Sequence, residues 1–469
     1  MGDGAKSYPD GMDLFPDTTQ ASPRRHGAGL WAVVFAFVAV MAFSTVPTPL
    51  YALYQTRDGF STFVITVIFA AYAVGVILAL FFAGHVSDWL GRRRALVPAV
   101  LLSVVSAIVF LVWRELPGLL IGRVLSGLSV GIVTATATAY LAELHLGERP
   151  GASPKRAQLL ATTANLGGLG LGPLVAGLLA QSVSAPLTVP FVLFLVLLAG
   201  GAVVVALAPE TVTRPSPRPA YRPQRVAVPA EARGRFFGAA AAGSVSFAAF
   251  GLFTSLAPTF LAGTLGHSSH ALAGVPAFTA FTAAAVAQRA ARAWEVRRLL
   301  AIGMVALAAG VLLVVAATWL PSLTLFLAGG LVAGAGAGLL FKGGIVTVLG
   351  LAAPERRAEA LAGFFLAGYV GISVPVLGLG VLDQWVEPKV ALLAFAGLLL
   401  AGLATSARSL LGGDQPAGAG GADLDQRLGR HPRRVRGRRV QAERAGAAGV
   451  QATWGAPSPA GWPAPGGCS

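Results

Sequence analysis

Residues 84–94 read GHVSDWLGRRR, one acid and three consecutive arginines set between two apolar runs, 63–83 before and 96–112 after. A charged hinge between two buried helices of a soluble protein would look the same locally. Composition separates the two readings. Over 469 residues the chain is 55% hydrophobic and 12% charged, with a mean hydropathy of +0.71. Soluble domains are roughly a quarter charged, and a water-soluble fold could not hide this much apolar surface without large sticky patches. The loop therefore lies at the edge of a membrane.

Working outward, a helix needs about 20 apolar residues to cross the hydrocarbon core. That rule predicts about twelve spans. In the first half they are 30–51, 63–83, 96–112, 119–141, 159–179 and 189–207; in the second, 236–261, 271–287, 299–319, 323–348, 361–382 and 390–405. Within lipid, backbone polar groups must be satisfied inside each segment, so these runs are helices. The expected class is an all-α membrane protein with about twelve transmembrane helices in two pseudo-symmetric six-helix bundles. Residues 1–28 lack a short apolar core with a small-residue cleavage site, so a retained first span is expected in place of a removable signal peptide.

Charge orients the spans. One set of loops carries Arg92, Arg93, Arg94, Arg149, Lys155, Arg156, six arginines between 214 and 235, Arg289, Arg292, Arg297, Arg298, Arg356 and Arg357. The alternate loops carry Arg57, Arg114 and Lys389. The positive-inside rule then predicts a multi-pass protein of the cell membrane with both termini in the cytoplasm. It also accounts for most of the +15 formal charge without a nucleic-acid partner. The single cysteine, Cys468, rules out an intrachain disulfide.

The boundaries follow composition: a cytoplasmic tail over 1–28, a first bundle over 29–208, a Pro- and Arg-rich linker over 209–235, a second bundle over 236–407, and a basic disordered tail over 408–469 containing RHPRRVRGRR. The bundles echo one another. GRVLSGLSVG (122–131) aligns with GGLVAGAGAG (329–338), Glu148-Arg149 with Glu355-Arg356, KRAQLLA (155–161) with RRAEALA (356–362), and Trp89 before its arginines with Trp294 before Arg297 and Arg298. Several matches in one order indicate duplicated halves, a pattern of secondary transporters.

With the loop placed between the second and third spans, Gly84, Asp88, Gly91, Arg92 and Arg93 resemble the signature loop of the major facilitator superfamily. The resemblance, which runs over about 30–405, implies a gate in which Asp88 docks near the start of the eleventh helix, around 359–361, and closes the cytoplasmic side. The glycines permit a tight turn and close helix approach, and Asp88 needs a cationic partner or a helix N-terminus. A plain positive-inside anchor would explain Arg92–Arg94 but neither the acid nor the glycines. In the second-half loop Arg289, Ala293 and Val296 replace Gly, Asp and Gly, so only the first copy is expected to work.

Arg123 in the fourth span lies about one turn inside the opposite face. It could snorkel to that interface with Glu115, and it also resembles the family's fourth-helix arginine, which implies ion coupling. Gly172, Pro173 and Gly177 in the fifth span resemble a glycine–proline motif of proton-coupled exporters, with Ala176 where a second glycine is common; a generic packing proline is the alternative. Lys342 interrupts the tenth span and is a candidate for the substrate cavity or for snorkelling to the basic side. Tyr51, Thr134 and Thr138 are further cavity candidates, with Thr48, Tyr54, Gln55, Thr254 and Gln288; most could equally bond their own helix backbone.

No Asp or Glu falls in the middle of a span. Proton antiport normally uses a carboxylate whose pKa shifts between wet and dry states, which leaves His85 and boundary acids such as Glu143 and Asp383 as carriers. No metal-ligand cluster, paired carboxylates or phosphate-cradling loop is evident, so neither an enzyme nor direct ATP coupling is expected, and no metal or cofactor. The expected function is secondary transport of a small organic solute by alternating access, in export, with protons as the candidate coupling ion. The alternatives are uptake symport of a neutral or anionic metabolite and a non-transporting receptor or scaffold. Membrane lipids are the expected surroundings and a monomer the expected state.

Overall fold

In a computed structural model, residues 22–83, 86–212, 232–353 and 356–412 are described. Gly84, His85, Glu355, most of the linker and the basic tail with Cys468 lie outside them.

The described chain is helical throughout, and twelve of its segments are long and apolar enough to cross a membrane. The first is α1 (Pro23–Thr45) continued by α2 (Pro47–Asp58). Then come α3 (Thr62–Ala83), the single turn α4 (Ser87–Leu90), α5 (Arg92–Val112), α6 (Leu116–Glu148), α7 (Lys155–Ser182) and α8 (Val189–Ala206). The second half has α9 (Arg233–Ser255) continued by α10 (Ala257–Gly263), α11 (His270–Ala290), α12 (Val296–Trp319), α13 (Leu323–Leu351), α14 (Arg357–Leu382) and α15 (Pro388–Leu411). Every expected span has its helix. Most run longer than expected, because helical geometry continues into the interface where apolar character fades. At 33 residues α6 extends about 50 Å, well beyond the hydrocarbon thickness.

The halves repeat one packing scheme. α6 packs on α3 and α5, and α13 on α11 and α12. The repeat explains this. A Cβ at Gly127 would strike the Tyr72–Val76 backbone of α3, and one at its counterpart Gly334 would strike Ala280 of α11. Small residues let helix axes approach where lipid offers no hydrophobic drive to associate. Between halves, α7 meets α11 and α3 meets α14, and one continuous apolar core includes residues of both halves.

Proline sets the breaks in the first and seventh spans. Pro47 has no N–H for the Phe43 carbonyl, which accepts the Val46 N–H at 3.2 Å instead. A matching break falls at Leu256, just before Pro258. Around these breaks both spans are enclosed on every side: each residue of 39–51 and of 248–258 is buried. Nearer the arginine-rich face the same spans alternate between buried and exposed positions, as at Trp31 and Phe35. The two halves thus close over the arginine-poor face.

Candidate functional site

At the basic face, Gly91 adopts φ +110° between α4 and α5, and a Cβ there would come within 2.5 Å of Glu210 Oε2. The backbone conformation favours glycine, and a Cβ would also have to displace the Glu210 carboxylate. The turn aims the Arg92 N–H at Glu210 Oε1, 2.7 Å away. The Arg92 guanidinium then donates to Asp88 Oδ1 at 2.5 Å, to Ser87 Oγ at 2.8 Å and to Glu143 Oε1 at 2.8–3.0 Å. Thr211 donates its hydroxyl to the other Glu143 oxygen. Arg93 caps the end of α8 by donating to the Ala208 carbonyl at 3.2 Å.

Arg92 is therefore a hub that ties α4, α6 and the chain after α8 together. Among the described residues Asp88 has no hydrogen bond or ion pair with α14. Its side chain is 63% exposed and pairs with Arg92 one helical turn on. The expected docking near 359–361 is not seen among the described residues, whereas close inter-half approaches at Gly177, Gly274 and Gly380 lie toward the other face. Glu210 escaped the sequence reading because it sits in what composition marks as linker. Its one legible sign was an acid directly after the last apolar run.

Arg123 on α6 is 3% exposed. Its Nη1 donates to the Ser44 carbonyl at the α1–α2 break, 2.6 Å away, and its guanidinium lies 4.8 Å from the Tyr72 ring centre and 5.7 Å from that of Phe69. Arg123 Nε and the buried Tyr51 and Tyr54 hydroxyls have no hydrogen-bond partner among the described residues. Cation–π contact and one charge-assisted bond hold a desolvated cation in place. Tyr51, another sequence candidate, is buried on α2.

Among the described residues none of the remaining candidates hydrogen-bonds Arg123. Thr138 is exposed and donates to its own helix at the half-buried Thr134, 2.7 Å away; Thr254 likewise bonds its own helix. Gln55 faces Thr259 across the halves at 3.4 Å. Lys342 Nζ donates to the carbonyls of Gln288 and Ala291, at 3.0 and 3.3 Å, at the C-terminal end of α11. Gln288 in turn donates to the Gly338 carbonyl at 3.0 Å. An ammonium at a helix C-terminus complements the dipole and occupies orphan carbonyls. Lys342→Met should accordingly lower the thermal stability of the purified protein by about 1–2 kcal/mol. Unchanged stability would detach Lys342 from this capping role.

At the arginine-poor rim, Gly172 and Pro173 explain each other. Pro173 cannot donate to the Leu169 carbonyl one turn back, and Thr45 Oγ1 of α1 donates to it at 2.9 Å. Gly172 admits that approach, since a Cβ there would collide with the Ala42 backbone and Thr45 Oγ1. Gly177 faces His270 and Gly274 of α11, and Gly274 packs on the Pro173 backbone. Gln181 accepts the His270 N–H at 3.0 Å, and a Cβ at Gly380 of α14 would strike Thr66 of α3. Thr45→Val should cost about 1 kcal/mol. In a Pro173→Ala background, where residue 173 can donate to Leu169 itself, the cost should shrink toward zero. A thermal-stability double-mutant cycle with no coupling would refute the pairing.

A sequence profile of the Major Facilitator Superfamily matches residues 32–294, more than half the chain. The chain belongs to the Major Facilitator Superfamily. Its fold is that of solved members of this superfamily. It superposes on the human organic anion transporter MFSD10 (TETRAN) with a TM-score of 0.59 at 18% identity, and on the nucleoside transporter NupG with a TM-score of 0.59 at 12% identity. In each case 81% of this chain and 99% of the other are covered. The arabinose-proton symporter of Bacillus subtilis (strain 168) is 30% identical over 83 residues, which is 18% of either chain. The chain thus aligns with less than a fifth of that relative's length. Superfamily membership suggests a transporter rather than an enzyme.

Proposed function

We propose that this protein is a secondary transporter that carries a small organic solute across the cell membrane by alternating access, with its basic face and both termini in the cytoplasm. The observation that carries this reading is the asymmetry of closure. The first and seventh spans are buried all round near one face, while Asp88 at the other face is solvated and, among the described residues, has no hydrogen bond or ion pair with α14. A symmetric scaffold would have no use for one shut and one parted rim. Rocking of two packed halves would exchange them, and Asp88 would dock on α14 in the opposite state.

Export is the proposed direction, supported by the Gly172, Pro173 and Gly177 motif at the moving interface. Proton-linked uptake is the second reading. The short match to an arabinose-proton symporter favours it, and Arg123, a buried cation with an unfilled donor, is the proposed coupling residue in either case. Lys342, Tyr51, Thr134 and Thr138 remain proposed contributors to the solute path. The protein is proposed to act as a monomer.

Proteoliposomes given an imposed proton gradient and a panel of labelled organic acids, sugars and nucleosides test this. Solute moving against the proton flow identifies antiport, and solute moving with it symport. Flux that is equally fast in Asp88→Asn would eliminate the gate, and no gradient-dependent flux of any solute would favour the receptor reading.

A further inference from the structure

One cavity belongs to neither gate. It has a volume of about 590 Å³ and lies on the outside of the first half, between the start of α1 and the end of α8. Arg25 and Arg93 stand at its basic-face end, and Ala32, Phe35, Val204 and Leu207 line it below. α1 meets the chain after α8 within the lining, at Gly29 against Pro209, and α8 itself at Gly201 against Ala36. Phe35 is 41% and Leu207 80% exposed. On the perimeter of a membrane-spanning bundle, such side chains face acyl chains. From Arg25 to Phe35 the helix rises about 15 Å, half the hydrocarbon thickness and the depth of one leaflet.

We propose that this groove is a binding site for an anionic phospholipid of the basic-side leaflet. Its phosphate would sit between the Arg25 and Arg93 guanidiniums, with one acyl chain along Phe35, Val204 and Leu207. Charge complementarity selects this occupant. The lining contains two arginines and no acid, and among the described residues neither arginine pairs with a carboxylate. Guanidinium matches phosphate geometry, and a basic pocket between transmembrane helices at the headgroup level recruits anionic headgroups. A soluble phosphate compound would leave the apolar wall unused. Because Arg93 also caps α8, just before Glu210, a bound headgroup would brace the segment that holds the Arg92 turn.

The test uses the full-length protein, stripped of lipid in mild detergent, and counts bound lipid by native mass spectrometry. Dioleoyl-phosphatidylglycerol should be retained in preference to dioleoyl-phosphatidylcholine. Arg25→Gln should weaken phosphatidylglycerol retention about fivefold, the effect of one basic contact, and leave phosphatidylcholine unchanged. Ala32→Trp should fill the groove and reduce retention of phosphatidylglycerol as well. Should the tryptophan variant fail to fold, Arg25→Gln, on an exposed first turn, still decides the matter. Equal retention of the two lipids, or full phosphatidylglycerol retention in Arg25→Gln, would overturn the site. Displacement of phosphatidylglycerol by inorganic phosphate alone would overturn the assignment to lipid.

Discussion

Gly274→Leu is expected to prise open the arginine-poor rim and abolish transport. A Cβ at this position would meet the Pro173 carbonyl and come within 3.1 Å of Leu174 Cα. These are backbone atoms of a facing helix, which cannot rotate aside as a side chain would. Overpacking of this kind costs about 1–3 kcal/mol. In the proposed rocking of the halves α7 and α11 part at this rim, so only the closed state would bear that cost. A bias of about 2 kcal/mol moves the closed-to-open ratio roughly 30-fold. The chain's only cysteine is Cys468, so a Thr254→Cys reporter in a Cys468→Ser background gives a clean reading. Thr254 is 3% exposed in the closed arrangement and should resist a water-soluble maleimide. The added Gly274→Leu substitution should make it reactive. Persistent protection in a folded double variant would mean that the α7–α11 contact is not a gate.

Arg92→Gln should be the most damaging change at the basic face, lowering stability by about 2 kcal/mol. The guanidinium is 11% exposed and serves Asp88, Glu143 and Ser87 at once. Its loss would leave the 31% exposed Glu143 carboxylate without its cation. Arg92→Lys should fall between, because an ammonium cannot span the same three partners with one planar fork. Asp88→Asn gives the contrast. Its carboxylate is largely solvated, so the stability change should stay within about 0.5 kcal/mol, while gradient-driven flux is lost with the docked state. Thermal melts of the purified variants, set beside proteoliposome flux, separate the two. An Asp88→Asn melt as low as that of Arg92→Gln would show that the hub is not centred on the arginine.

Much of the architecture was legible along the chain. All twelve spans follow from apolar length, and the doubled packing of α6 and α13 follows from glycines repeated at matching offsets. The breaks at Val46 and Leu256 are marked in the sequence by Pro47 and Pro258 near the ends of the first and seventh spans, although apolar length alone describes each span as one continuous helix. Side-chain facing was not legible. In a soluble helix the polar stripe marks the outside. In these spans lipid and protein interior are equally apolar, so the pattern around α3 or α8 carries no such mark. Lys342 shows the consequence: the chain placed it in a span, but its direction toward the end of α11 depends on how α13 is rotated.

The amino-acid order alone determined which segments cross the membrane, which ends gather the arginines, and that the motif around Asp88 and Arg92 lies at a boundary. Hydrophobic length and loop charge are local properties, additive along the chain. Only the tertiary structure decided that Arg92 takes Glu210, 118 residues away, and Glu143, 51 away, while Asp88 stays solvated. It also decided that Thr45 supplies the hydrogen bond that Pro173 withholds. Such pairings form where separate helices converge, and each is set by the rotation and tilt of two helices, which no single segment encodes.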